Sequence, residues 1–136
     1  MMKRTIMMKR IILPIAALLL TTSCQDSLED KAEKEAKTYT RKNCPVALTD
    51  NITLDSMTFD RATHTFGYYY TMSGELDSDQ SEHFELMRSQ LLSGLKNMTA
   101  ARTYMDEGYA FRYVYRSQSE PGTVRFETLF TESDYK

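Results

Sequence analysis

The residues of this 136-residue chain whose types suit chemistry are two histidines, two cysteines and a run of carboxylates. His64 abuts a turn and His83 opens a helix. Neither has a serine or cysteine in a nucleophile context, and Gly-x-Ser-x-Gly does not occur. His-x-x-x-His and Cys-x-x-Cys are also absent, so no zinc site is expected. Asp77, Asp79, Glu82 and Glu85 gather at the front of a long helix. Two such carboxyls can serve as the acid and base of a glycosidase. The same acids also complement the helix dipole, which accounts for them without chemistry. Asp77-Ser78-Asp79 lacks the glycine and final glutamate of a calcium loop, and the five glycines build no phosphate loop. The chain is therefore expected to be non-enzymatic, without cofactor or metal. The alternative is a small carboxylate-dependent hydrolase acting on envelope or extracellular glycans.

The cysteines carry a different message. Lys3, Arg4, Lys9 and Arg10 stand at the start with no acid among them, and Ile11 to Leu20 is an unbroken apolar run. Thr21-Thr22-Ser23-Cys24 follows directly. A basic start, about ten apolar residues and a small-residue cleavage site make a signal peptide. A membrane span needs roughly 20 apolar residues, twice this run. The placement of Cys24 behind small residues resembles the lipobox of bacterial lipoproteins, with Thr21 where leucine is more usual. That variation is similar to lipoproteins of the Bacteroidetes type. The acids Asp26, Glu29 and Asp30 resemble the export signal of surface lipoproteins in that group, and Asn43-Cys44-Pro45 belongs to the same likeness to their uncharacterised small members. The resemblance implies that Cys24 is lipidated, palmitate included, and anchors the protein to the cell envelope, at the outer membrane. It implies no activity.

If Cys24 holds lipid, Cys44 has no disulfide partner in the chain, and a lone cysteine is most often a small buried apolar residue. Removing the leader leaves 13 Lys+Arg against 19 Asp+Glu, a net charge of −6, with seven scattered arginines. Nucleic-acid binding needs basic residues clustered on one face, so no such partner is expected.

Several elements must position these residues. Ser27 to Tyr39 favours helix, with Leu28, Ala32, Ala36 and Tyr39 on one thin face that predicts light docking or a stalk. Asn43-Cys44-Pro45 ends it. Residues 46–51 read as a loop. Asp55 to Phe59 and His64 to Met72 alternate across the turn 60–63 and predict a hairpin. A helix over 80–98 follows, with Phe84, Met87, Leu91, Leu95 and Met98 as its stripe and Gly94 read as a close-packing position. Tyr109 to Arg116 and Thr123 to Phe130 form a second hairpin around Ser119-Glu120-Pro121-Gly122.

The order helix, hairpin, helix, hairpin predicts an α+β fold: a four-stranded antiparallel sheet with the long helix packed across one face. Three segments result, a signal over 1–23, a tether and helix over 24–43, and one domain over 44–136. Phe66-x-Tyr68-x-Tyr70 and Phe111-x-Tyr113-x-Tyr115 share a pattern and are expected to lie on neighbouring central strands. The opposite sheet face carries Tyr69, Arg112, Val114, Arg125, Glu127 and Leu129. Of these, Tyr69, Arg112, Val114 and Arg125 are the candidate binding face, since Tyr and Arg favour interfaces. The expected partners are the membrane, through the lipid on Cys24, and an envelope protein or glycan.

Overall fold

The computed structural model describes residues 26–136. The signal segment and Cys24 lie outside them.

Helix α1 (Leu28–Asn43) starts where the sequence supplies a cap. The Asp30 amide donates to Ser27 Oγ at 3.1 Å, and Ser27 N–H donates back to Asp30 at 3.3 Å. It stops at Asn43 because Cys44 is extended ahead of Pro45. Strands β1 (Val46–Thr49), β2 (Ile52–Asp60) and β3 (Thr65–Met72) form a meander. Helices α2 (Phe84–Lys96) and α3 (Arg102–Asp106) cross over to β4 (Ala110–Ser117), and β5 (Val124–Phe130) returns beside it. The short α4 (Glu132–Tyr135) closes the chain.

The class is α+β, and the sheet differs from the expected one. It has five strands in the order β1-β2-β3-β4-β5, with β3 and β4 parallel and the other neighbours antiparallel. The extra strand is β1, in the segment read as a loop. Its burial pattern is mostly exposed, as an edge strand allows, so it shows no apolar alternation. The parallel pair follows from the connection. Residues 73–109 carry two helices across the sheet and return the chain to the end where β3 began, and a helical crossover makes neighbouring strands parallel.

The two aromatic strands are neighbours, as expected. Phe66 faces Phe111, Tyr68 faces Tyr113 and Tyr70 faces Tyr115 in register. The rings of Tyr70 and Tyr115 stack at 4.3 Å, and those of Tyr68 and Tyr113 at 4.9 Å. Together with Phe126 and Phe130 they form the aromatic centre of the core, which Leu54, Met72 and Leu95 extend.

The helices cover the two flanks of this aromatic face. Helix α1 seats Ala32 and Ala36 completely (0 and 1 % exposed) on the β2 side. The expectation of light docking or a stalk is thus corrected, because small side chains permit a closer approach rather than a weaker one. Past β1, the free edge of β2 is satisfied by Thr40, whose hydroxyl donates to Met57 C=O and accepts from Met57 N–H, both at 2.9 Å. Arg61 in the β2–β3 turn ties the front of α1 through Asp30 and Glu33.

Helix α2 lies on the β5 side. Phe84 meets Phe126 at 5.0 Å, and Arg88 pairs with Asp134 while its guanidinium sits 4.8 Å over Phe130. The helix is shorter than 80–98, since Ser81–His83 is a 3-10 turn. Gly94 points into open space, with nothing within 4 Å of a Cβ placed there, so it is not a packing position.

Candidate functional site

Between the two flanks the middle of the sheet is left under a cleft. Its floor is Leu54, Phe66, Tyr68, Tyr70 and Phe111, and its volume is about 300 Å³. One wall is α1, through Glu35 and Tyr39, which are four residues apart and share a helix face. The other wall is the 98–104 segment, through Met98, Ala101 and Tyr104. Leu48 of β1 stands at the rim, 54 % exposed, and Met98 and Tyr39 are 37 and 38 % exposed. Large apolar side chains around an apolar hollow make a candidate binding site.

One polar spot interrupts this lining. Tyr104 donates its hydroxyl to Glu35 Oε2 at 2.7 Å, linking the two walls. Burial pushes the Tyr104 phenol above its ordinary pKa, and the bond to Glu35 adds to the shift. Burial likewise raises Tyr68, with smaller contributions from Glu35, Tyr39 and Tyr104. Tyr104 is thus bonded to Glu35, and Tyr39 and Tyr68 line the same cleft.

The candidate face lies on the opposite side of the sheet, and its four residues are not equivalent there. Tyr69 and Val114 are register partners across β3 and β4. Tyr69 leans toward Gly67, where a Cβ would come within 2.9 Å of its ring, and the Arg116 guanidinium lies 5.1 Å from the ring centre. Arg112 pairs with Glu127 at 2.6 Å and is 40 % exposed. Val114 is 4 % exposed, so it cannot meet a partner directly. It sits in the middle of the strand, flanked by Tyr69 and Glu127 and by the long side chains of its own strand face. Arg125 is turned to the end of the sheet. Its Nε donates to Asp77 at 3.0 Å and its Nη2 to Glu120 at 3.2 Å. Both Arg125 and Asp77 are largely enclosed, at 16 and 5 % side-chain exposure. Arg125 therefore anchors the loop after β3 and is not free for a ligand. Tyr69 and Arg112 remain together on a helix-free face beside Thr58, Asp60 and Thr65, in a shallow polar depression.

The carboxylates at the helix front do not form a catalytic pair. Asp79 accepts the Ser81 hydroxyl and amide, which hold its carboxyl below the usual range, and both Asp79 and Glu82 are exposed. A general acid needs the opposite shift. Among the described residues no cluster of three or more His, Cys, Asp or Glu is placed to hold a metal. His64 stacks on Tyr109 at 4.6 Å and meets Glu29 at 3.3 Å, while His83 lies in the turn before α2. Cys44 is half-buried; burial and then Asp55 push its thiol up.

The cleft was not read from the sequence as a site. Tyr39 and Met98 were assigned to helix stripes and Leu48 to a loop. The available signal was that Tyr39 and Met98 are the last members of their apolar stripes.

The fold and cleft define a small two-layer α+β domain with one helix-free sheet face. Residues 27–126 match the family described as a domain of unknown function (DUF8479), and the chain belongs to that family. No curated protein sequence matches it. Solved structures share its fold. One is the crystal structure of a candidate secreted protein from Pseudomonas aeruginosa, with a TM-score of 0.65 and 15 % identity over 82 % of this chain and all of that one. The pilotin EpsS of the Vibrio vulnificus type 2 secretion system gives 0.63 and 13 % over 80 % of this chain and 92 % of that one. The type II secretion pilotin AspS from Vibrio cholerae gives 0.57 and 15 % over 79 and 91 %. Among the described residues no helix is long and apolar enough to cross a membrane.

Proposed function

We propose that the protein is a lipid-anchored, non-enzymatic accessory protein of the bacterial envelope, whose cleft receives an apolar segment of an envelope protein. The observation that carries the reading is the cleft itself, with Leu48, Met98 and Tyr39 exposed around an aromatic floor. The lipobox-like Thr21 to Cys24 supports the anchor, and the shared fold with two secretion-system pilotins supports an accessory role beside an envelope assembly. The segment 25–27 joins Cys24 to α1, and three residues span at most about 10 Å. The front of α1 and the β2–β3 turn then face the bilayer. Tyr39 stands eleven residues further along α1, roughly 16 Å away along the helix axis. The cleft is thus held above the membrane, within reach of a protein rooted in it. Charge complementarity makes a protein segment the favoured occupant: Glu35 gives the wall an anionic group that an acyl chain has no means to satisfy.

The test is site-specific photocrosslinking in cells, with a photoreactive phenylalanine analogue at Leu48 or Met98 of the full chain and at Leu129 as control. The reading expects one envelope protein joined at both cleft positions through a contiguous apolar stretch, and no adduct at Leu129. Equal labelling at Leu129, or none at Leu48 and Met98, overturns it.

A further inference from the structure

We infer that the segment bound in the cleft carries a lysine or arginine, and that Glu35, which is bonded to Tyr104 and shares the cleft with Tyr39 and Tyr68, receives it. The inference rests on the docking reading above and gives the occupant its chemistry.

Glu35 is a solvent-exposed carboxylate at the edge of an otherwise apolar hollow. It accepts a hydrogen bond from the Tyr104 hydroxyl. The ion pairs among the described residues use other carboxylates: Glu33, Asp30, Glu29, Asp134, Glu127, Asp77, Glu120 and Glu132. A carboxylate offers about four acceptor positions, so one donated bond leaves most of them open. Covering the cleft with an apolar segment desolvates those positions. A desolvated charge without a partner is costly, and a cation on the incoming segment removes that cost.

The tyrosines of the cleft suit the same ligand. Their ring faces attract a cation held within about 6 Å of a centroid. Tyr104 is fixed against Phe66 at 4.7 Å and by its bond to Glu35, so the arrangement is preorganised. A glutamine or serine on the ligand satisfies neither the charge nor the rings. The net −6 of the chain behind Cys24 steers a basic segment toward the protein in the same sense.

The test uses the full chain in zwitterionic nanodiscs and three fluorescein-labelled twelve-residue helical peptides of leucine and alanine. The peptides differ at one central position: Lys, Gln or Glu. Signal from empty nanodiscs is subtracted. An ion pair with cation–π support favours the Lys peptide over the Gln peptide by about tenfold, with the Glu peptide weakest. Glu35→Gln brings the Lys peptide down to the Gln peptide and leaves the latter unchanged; Glu35→Lys reverses the order of Lys and Glu. Equal binding of Lys and Gln peptides to the unaltered chain overturns the inference while the docking reading stands, provided Leu48→Glu with Met98→Glu weakens both. If none of the peptides binds, or the Leu48 and Met98 changes have no effect, both readings fall.

Discussion

The hydroxyl of Tyr104 donates to Glu35 across 2.7 Å, and this bond joins two walls of the cleft that are 69 residues apart in the chain. Tyr104 is 6 % exposed, so its hydroxyl has little water to turn to. Tyr104→Phe removes the donor and keeps the ring. We expect a loss of about 0.5–1.5 kcal/mol in urea unfolding, the usual net worth of one hydrogen bond. A variant as stable as the parent shows the bond to be incidental.

The enclosed Asp77–Arg125 pair makes stability depend on acid. The Ser117 hydroxyl, then the Ser119 amide and hydroxyl, hold the Asp77 carboxyl far below the usual carboxylate range, with Arg125 adding to them. Folding thus favours the ionised form. The stabilisation is complete above the ordinary unfolded value of about 4 and is lost as pH falls below it toward the folded value. Asp77→Asn lowers stability at neutral pH and flattens the acid limb. Thermal melts from pH 7 to pH 2 decide the matter, and parallel curves for the two proteins contradict it.

Seating α1 depends on small side chains. Ala32 is fully buried against β2. Ala32→Leu forces the helix outward and costs about 1–3 kcal/mol, the range for overpacking a filled site. Lys34→Leu, on the exposed side of the same helix, serves as the control and leaves the melting temperature within a degree or two.

Cys44 is expected to be a slow thiol. Burial, with Asp55 nearby, raises its pKa, and the thiolate is the reactive form. Alkylation by iodoacetamide at pH 8 should proceed well below the rate of free cysteine and reach that rate in urea. Comparable rates in the folded and unfolded protein would falsify this.

Cys24 is expected to carry the anchor. Cells producing the full chain and fed labelled palmitate should incorporate the label, and Cys24→Ser should abolish it and release the protein from the membrane fraction. Retention of label in Cys24→Ser places the lipid elsewhere or removes it from the account.

Much of the fold was written locally. Pro45 sets the end of α1, because the residue before proline avoids helical geometry. The Phe-x-Tyr-x-Tyr runs mark two buried strand faces, since side chains alternate with a period of two, and the two strands do lie side by side. What escaped was the relation between elements. Each pair of alternating strands looked like a self-contained hairpin, and alternation is the same in a parallel or an antiparallel pair. The direction of β4 beside β3 depends on where the 73–109 connection returns the chain. Strand β1 escaped because an exposed edge strand is held by its ladder bonds to β2, which leave no apolar pattern in the sequence.

The candidate site divides in the same way. Residue type alone pointed to Tyr69, Arg112, Val114 and Arg125 as one face, and parity put them together. Tertiary contacts separated them: Val114 is enclosed by its neighbours, and Arg125 is drawn to Asp77 from a loop 48 residues away. By itself the sequence determined the two longer helices, four of the five strands and the aromatic stripe, because each rests on a short-range rule of spacing or backbone geometry. The tertiary structure decided where apolar surface stays uncovered. Glu35 and Tyr39 on α1, Leu48 on β1 and Met98 and Tyr104 after α2 become one cleft only when the two helices settle on opposite flanks of the sheet.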